Sequence, residues 1–78
     1  MSAINDIRET VGIPELLAGL AEESSELAQA ALKYRRTLTN WNPTPVKPDE
    51  AYEKLLEEIA DVRLYIRALY VNMRIVSD

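Results

Sequence analysis

The chain has 78 residues, nine Lys and Arg against thirteen Asp and Glu for a net charge of −4, and neither cysteine nor histidine. A chain this short buries only about 60–65% of the surface its unfolded form exposes, so its monomeric core is marginal. Disulfides and the usual Cys/His zinc sites are excluded, which leaves oxygen ligands for a metal, or self-association, as stabilising devices. The acidic balance argues against a dedicated phosphate-backbone binder, so no nucleic-acid partner is expected. No apolar run approaches the roughly 20 residues of a membrane span, and the opening MSAINDIRET lacks the basic and apolar regions of a leader. The expectation is a soluble, cytoplasmic protein with no membrane partner. An apolar content of 47% with 28% charged residues is a globular balance.

In chain order, Ser2 to Val11 is compatible with a short helix capped by Ser2, with Ile4, Ile7 and Val11 on one side. From about Pro14 to Leu38 there is no further proline, and Gly19 is the only glycine. Pro43, Pro45 and Pro48 then cluster around Trp41 in a loop, and from Asp49 to Ser77 there is neither proline nor glycine. Pro14 and Pro48 suit helix starts, where a missing N–H is not needed, and Glu15, Asp49 and Glu50 place negative charge where the helix dipole favours it. Strand alternation is nowhere visible. The chain reads as all-α: one domain over 1–78, a long antiparallel helical hairpin, with the short N-terminal helix as a possible addition.

The first long helix carries a seam of Leu16, Leu20, Glu23, Leu27, Ala30 and Tyr34. The second carries two adjacent stripes. One runs Leu55, Ile59, Val62, Ile66, Leu69, Met73 and Val76; the other runs Ala51, Leu55, Glu58, Val62, Tyr65, Leu69 and Asn72. A helix apolar on two faces needs more than one partner, and the chain supplies only one other long helix. Assembly into a four-helix bundle through a homodimer or homotetramer is the expected solution.

Both seams contain an acid. Glu23 interrupts the first and Glu58 the second, and each has another acid three residues on, Glu26 and Asp61. Such pairs are neighbours on one helix face, about 5–6 Å apart at Cβ, and repel. Roughly a dozen residues of helix out, a loop of about ten and about ten residues back bring both pairs to similar heights on an antiparallel hairpin. A hard divalent cation, Mg²⁺ or Mn²⁺, would relieve the repulsion and take the same oxygens as ligands.

Leu20-Ala21-Glu22-Glu23-Ser24-Ser25-Glu26-Leu27-Ala28-Gln29-Ala30, followed by Glu57-Glu58-Ile59-Ala60-Asp61-Val62, resembles the E-x-x-E … E-x-x-D signature. That signature belongs to the MazG-like, all-α nucleoside triphosphate pyrophosphohydrolases, which include dimeric dUTPases and phosphoribosyl-ATP pyrophosphatase. The likeness covers roughly Leu16 to Leu69, with a linker somewhat longer than is usual in the family. It implies Mg²⁺-dependent hydrolysis of the α–β phosphoanhydride of a nucleoside triphosphate, giving monophosphate and pyrophosphate. Glu23, Glu26, Glu58 and Asp61 match the family's metal-binding, catalytic acids. Glu22, about 100° around the helix from Glu23, is a further catalytic candidate for orienting water.

Substrate contacts are expected from Lys33, seven residues after Glu26, and from Lys54, four before Glu58, which alternatively neutralises Glu58. Tyr65 and Asn72 lie beyond Asp61 on its face, and Trp41 could stack on a base from the loop. Tyr65 reads more readily as core, and Trp41 as a plug that anchors the loop. The competing class is a non-catalytic, dimerising helical interaction module with a vestigial acidic site. A di-iron bundle is disfavoured, because its Glu-x-x-His motif needs the histidine this chain lacks.

Overall fold

A computed structural model of the protein describes residues 12–39 and 46–77, with side chains up to residue 74. The proposed N-terminal helix and Trp41 lie outside the described residues. Two helices are present, α1 (Ile13–Thr37) and α2 (Pro48–Ser77), with no strand among the described residues.

The ends form where local chemistry stops or starts a helix. Gly12 is the N-cap of α1 in extended conformation, and its carbonyl accepts the Leu16 N–H at 3.0 Å. Pro14 therefore occupies the second helical position, one later than the sequence suggests, and still sits in the first turn, where no N–H is missed. At the other end the Thr37 hydroxyl donates to the Tyr34 carbonyl at 2.7 Å, and the Leu38 N–H donates to the Arg35 carbonyl at 3.0 Å. Arg35 and Arg36 bring positive charge to these last carbonyls. α2 opens on Pro48, with Asp49 and Glu50 in its first turn.

The helices pack antiparallel. Leu16 clusters with Ala68 and Leu69, Gly19 faces Tyr65, Glu26 meets Glu58, and the Tyr34 ring lies 5.5 Å from that of Tyr52. On α1 the expected seam is the one used, with Leu16 and Ala30 buried and Leu20, Glu23, Leu27 and Tyr34 part-buried. The two stripes on α2 share Leu55, Val62 and Leu69, and of the residues that distinguish them it is those of the second that pack against α1. The second buries Ala51, Glu58, Val62 and Leu69, whereas Ile59, Ile66 and Met73 of the other remain 36%, 52% and 52% exposed. One α-helix covers one face of its neighbour, so Ile59 and Ile66 stay outside the contact between α1 and α2. No helix among the described residues is long and apolar enough to cross a membrane.

Gly19 sets how closely the helices approach. A Cβ built there would stand 2.7 Å from Tyr65 Cζ and 2.9 Å from its hydroxyl oxygen, well inside contact distance. Glycine within a helix costs about 1 kcal/mol relative to alanine, so the exchange would help a free helix. Here the added methyl meets a ring held against the Leu16–Ala68–Leu69 cluster, and overpacking costs about 1–3 kcal/mol. Gly19→Ala is therefore expected to lower the urea midpoint, and Gly19→Ala combined with Tyr65→Ser to recover part of the loss. A midpoint raised by the single substitution would contradict this packing.

Candidate acidic metal site

Antiparallel register brings the two acid pairs together midway along the hairpin. Glu23 and Glu26 stand one turn apart on α1, and Glu58 and Asp61 one turn apart on α2. One carboxylate oxygen from each of Glu23, Glu26 and Glu58 lies within 4.8 Å of the others. A second trio, Glu57, Glu58 and Asp61, meets the same limit, so Glu58 belongs to both.

Glu58 is the anchor. It is 2% exposed, the only charged residue among the buried ones described. Its Oε1 accepts a hydrogen bond from Lys54 Nζ at 2.9 Å, one turn earlier on α2. Its Oε2 is buried without a hydrogen-bond partner among the described residues, and so is Oε2 of Glu23. A buried carboxylate oxygen without a partner is costly, because it has lost water and gained nothing in exchange. Two such oxygens lie in one acid cluster, and carboxylate oxygens are the ligand type that a hard divalent cation takes.

The electrostatics reflect the same crowding of acids. Glu23 is raised from 4.5 to about 7, first by burial, then by its hydrogen bond to Glu26 and by the charges of Glu26, Asp61 and Glu58. Lys54 is raised as well, chiefly by its hydrogen bond to Glu58, with the charge of Glu57 adding to it. Unfolded Glu23 releases its proton near 4.5, whereas folded Glu23 holds it until about 7. The native state thus binds more protons across that window, and stability falls as pH rises through it. The metal-free protein is expected to melt lower at pH 8 than at pH 5, with Glu23→Gln flattening the decline. Thermal melts in a chelating buffer test this, and a profile that rises with pH would contradict it.

Around the cluster the sequence candidates divide. Lys33 and Lys54 line a small pocket of about 140 Å³ together with Glu26, Gln29, Ala30 and Glu58, so both lysines stand beside the acids. Glu22 is exposed and belongs to neither trio. Tyr65 packs on Gly19 in the core cluster and serves packing. Asn72 is part-buried three turns beyond Asp61 on α2, about 16 Å along the axis, and is not brought to the acids. Two neighbours were not singled out from sequence. Glu57 joins the second trio and lies 3.7 Å from Lys54, and Gln29 lines the pocket. Gln29 follows Glu26 by three residues, a helical spacing that already placed it on that face.

No protein-family model, curated protein or solved structure matches this chain. The likeness to the MazG-like pyrophosphohydrolases therefore rests on the two half-motifs and their spacing.

Proposed function

We propose that the protein is a Mg²⁺-dependent nucleoside triphosphate pyrophosphohydrolase of MazG-like type, acting as a homodimer or homotetramer. The observation that carries this reading is Glu58: an acid 2% exposed, one oxygen without a partner, set among the acids of the facing helix. Burying a carboxylate beside other carboxylates destabilises a hairpin that has no use for them.

Glu23, Glu26, Glu58 and Asp61 would hold the ion. When bound, Mg²⁺ neutralises triphosphate charge and activates water for attack on the α–β phosphoanhydride. The chain's own groups do the rest. Lys33 and Lys54 line the same pocket as Glu26 and Glu58, and would receive phosphate oxygens once Lys54 leaves Glu58. Glu23 holds its proton to about 7, first through burial and then through its hydrogen bond to Glu26 and the neighbouring acid charges, so a cation bound there would favour its ionised form. Val62 and Leu69, both buried, keep α1 and α2 at a fixed spacing, so the acids need little reorganisation.

The uncovered apolar stripe of α2 favours a second reading, a dimerising interaction module whose acids are vestigial. A panel of canonical and modified nucleoside triphosphates with Mg²⁺, with products separated, decides between them. Monophosphate and pyrophosphate in equal amounts support the hydrolase. Absence of turnover across the panel, with no Mg²⁺ binding by calorimetry, supports the module.

A further inference from the structure

Two lysines enter the pocket beside the acids, and they are differently engaged. Glu26, Ala30 and Lys33 follow one another at four and three residues on α1, and Lys54 precedes Glu58 by four on α2, so all five share one edge of the hairpin. Lys33 makes no ion pair among the described residues. Lys54 is held: its Nζ donates to Glu58 Oε1 at 2.9 Å and lies 3.7 Å from Glu57 Oε1. The Glu58 side chain is 2% exposed and that of Lys54 56% exposed. Packing therefore fixes the carboxylate, and the ammonium, on its flexible four-carbon stem, is the partner that can move. At about 140 Å³ the pocket falls well short of the roughly 300 Å³ at which whole small molecules are held. It has room for about five waters, which suits the four oxygens of one tetrahedral oxyanion.

Lys54 cannot serve Glu58 and an oxyanion at full strength together. With its ammonium on Glu58, the pocket stands beside five acids, Glu23, Glu26, Glu57, Glu58 and Asp61, and only Lys33 is left to attract an anion. With a divalent cation among those acids, Lys54 loses its counter-charge and meets a like charge instead. It can then turn to the pocket, where it and Lys33 repel each other unless an anion lies between them. The converse holds as well. An oxyanion between the lysines draws Lys54 off Glu58, whose Oε2 already lacks a partner among the described residues, and so leaves both carboxylate oxygens to a cation.

We propose that the pocket is a subsite for a single phosphoryl-type oxyanion, and that Lys54 couples it to the acid cluster, so that anion and divalent cation each strengthen the other's binding. The proposal rests on the reading of Glu23, Glu26, Glu58 and Asp61 as a cation site, and adds the device by which cation and phosphate bind together. Such coupling is reciprocal: each ligand changes the affinity of the other by one and the same factor.

Sulfate is the probe, a tetrahedral oxyanion with no anhydride bond to cleave. Mg²⁺ is titrated calorimetrically into the full chain in chloride and in sulfate, at equal ionic strength and with free Mg²⁺ matched. In the parent, sulfate should tighten Mg²⁺ binding at least about fivefold, and Mg²⁺ should tighten sulfate binding by the same factor. Lys54→Met should bind Mg²⁺ more tightly than the parent in chloride, and gain less than about twofold from sulfate. Lys33→Met, at an exposed position without an ion pair to the acids, should match the parent in chloride and lose the gain from sulfate. An equal sulfate gain in the parent and in Lys54→Met would show the anion bound directly to the cation and overturn the coupling through Lys54. Absence of any gain in a parent that binds Mg²⁺ would overturn the oxyanion subsite and leave the cation site standing. A parent that binds no Mg²⁺ would remove the cation site, and the coupling with it.

Discussion

Glu58→Gln is expected to abolish pyrophosphate release and, in the same variant, the stabilisation of the protein by Mg²⁺. The substitution keeps size and one hydrogen-bond acceptor for Lys54 but removes the charge shared by both acid trios. An ion bound only by the native state raises stability by RT ln(1 + [L]/Kd), about 2.7 kcal/mol at a hundredfold excess over Kd, and loss of the site removes that increment. Without metal the variant should melt higher than the parent. One of the charges that raise Glu23 is gone, and so is a buried charge one of whose oxygens has no partner. Against this stands only a weakened contact to Lys54, whose side chain is 56% exposed. Lys54→Met gives the opposite sign in the binding measurement: it removes the ammonium that competes with the ion for Glu58, so Mg²⁺ should bind more tightly. Melting curves and calorimetry of the two variants check both signs. A Glu58→Gln protein whose Mg²⁺ response matches the parent would remove the acids from any metal site.

Leu16→Ala should come close to unfolding the hairpin. Leu16 is 0% exposed and packs on Ala68 and Leu69, in a core with few other large buried side chains. Truncating a buried leucine costs about 2–5 kcal/mol through lost burial and the cavity left behind. At about 0.05–0.15 kcal/mol per residue, a domain of this size has roughly 4–12 kcal/mol in total. Leu32→Ala, at a position 59% exposed on the far side of α1, is the matched control and should change stability little. Equal urea midpoints for the two variants would mean that the core lies elsewhere. Because an assembly adds stability that depends on concentration, both should be compared at one protein concentration.

Several features were already decided by the sequence. The prolines at 14 and 48, the proline-free stretches between and after them, and the apolar spacing of three and four leave little but two helices and a loop. The i, i+3 spacing of Glu23 with Glu26 and of Glu58 with Asp61 put each pair on one helix face, since that follows from helix geometry alone. Periodicity also exposed the surplus of apolar surface on α2, though not which of its two stripes α1 would take.

That choice belongs to the tertiary structure, because it depends on the rotation of one helix against the other. Tyr65 beside Gly19 and Leu16 beside Ala68 select the stripe containing Glu58, and so bury Glu58 while leaving Ile59 and Ile66 outside. The same rotation makes Tyr65 a packing residue and sets Gln29 of α1 in one pocket with Lys54 and Glu58 of α2. A linear pattern records which residues share a face. The rise of glutamate 23 to about 7 comes from burial and from charges on a second helix, and only packing brings those within reach.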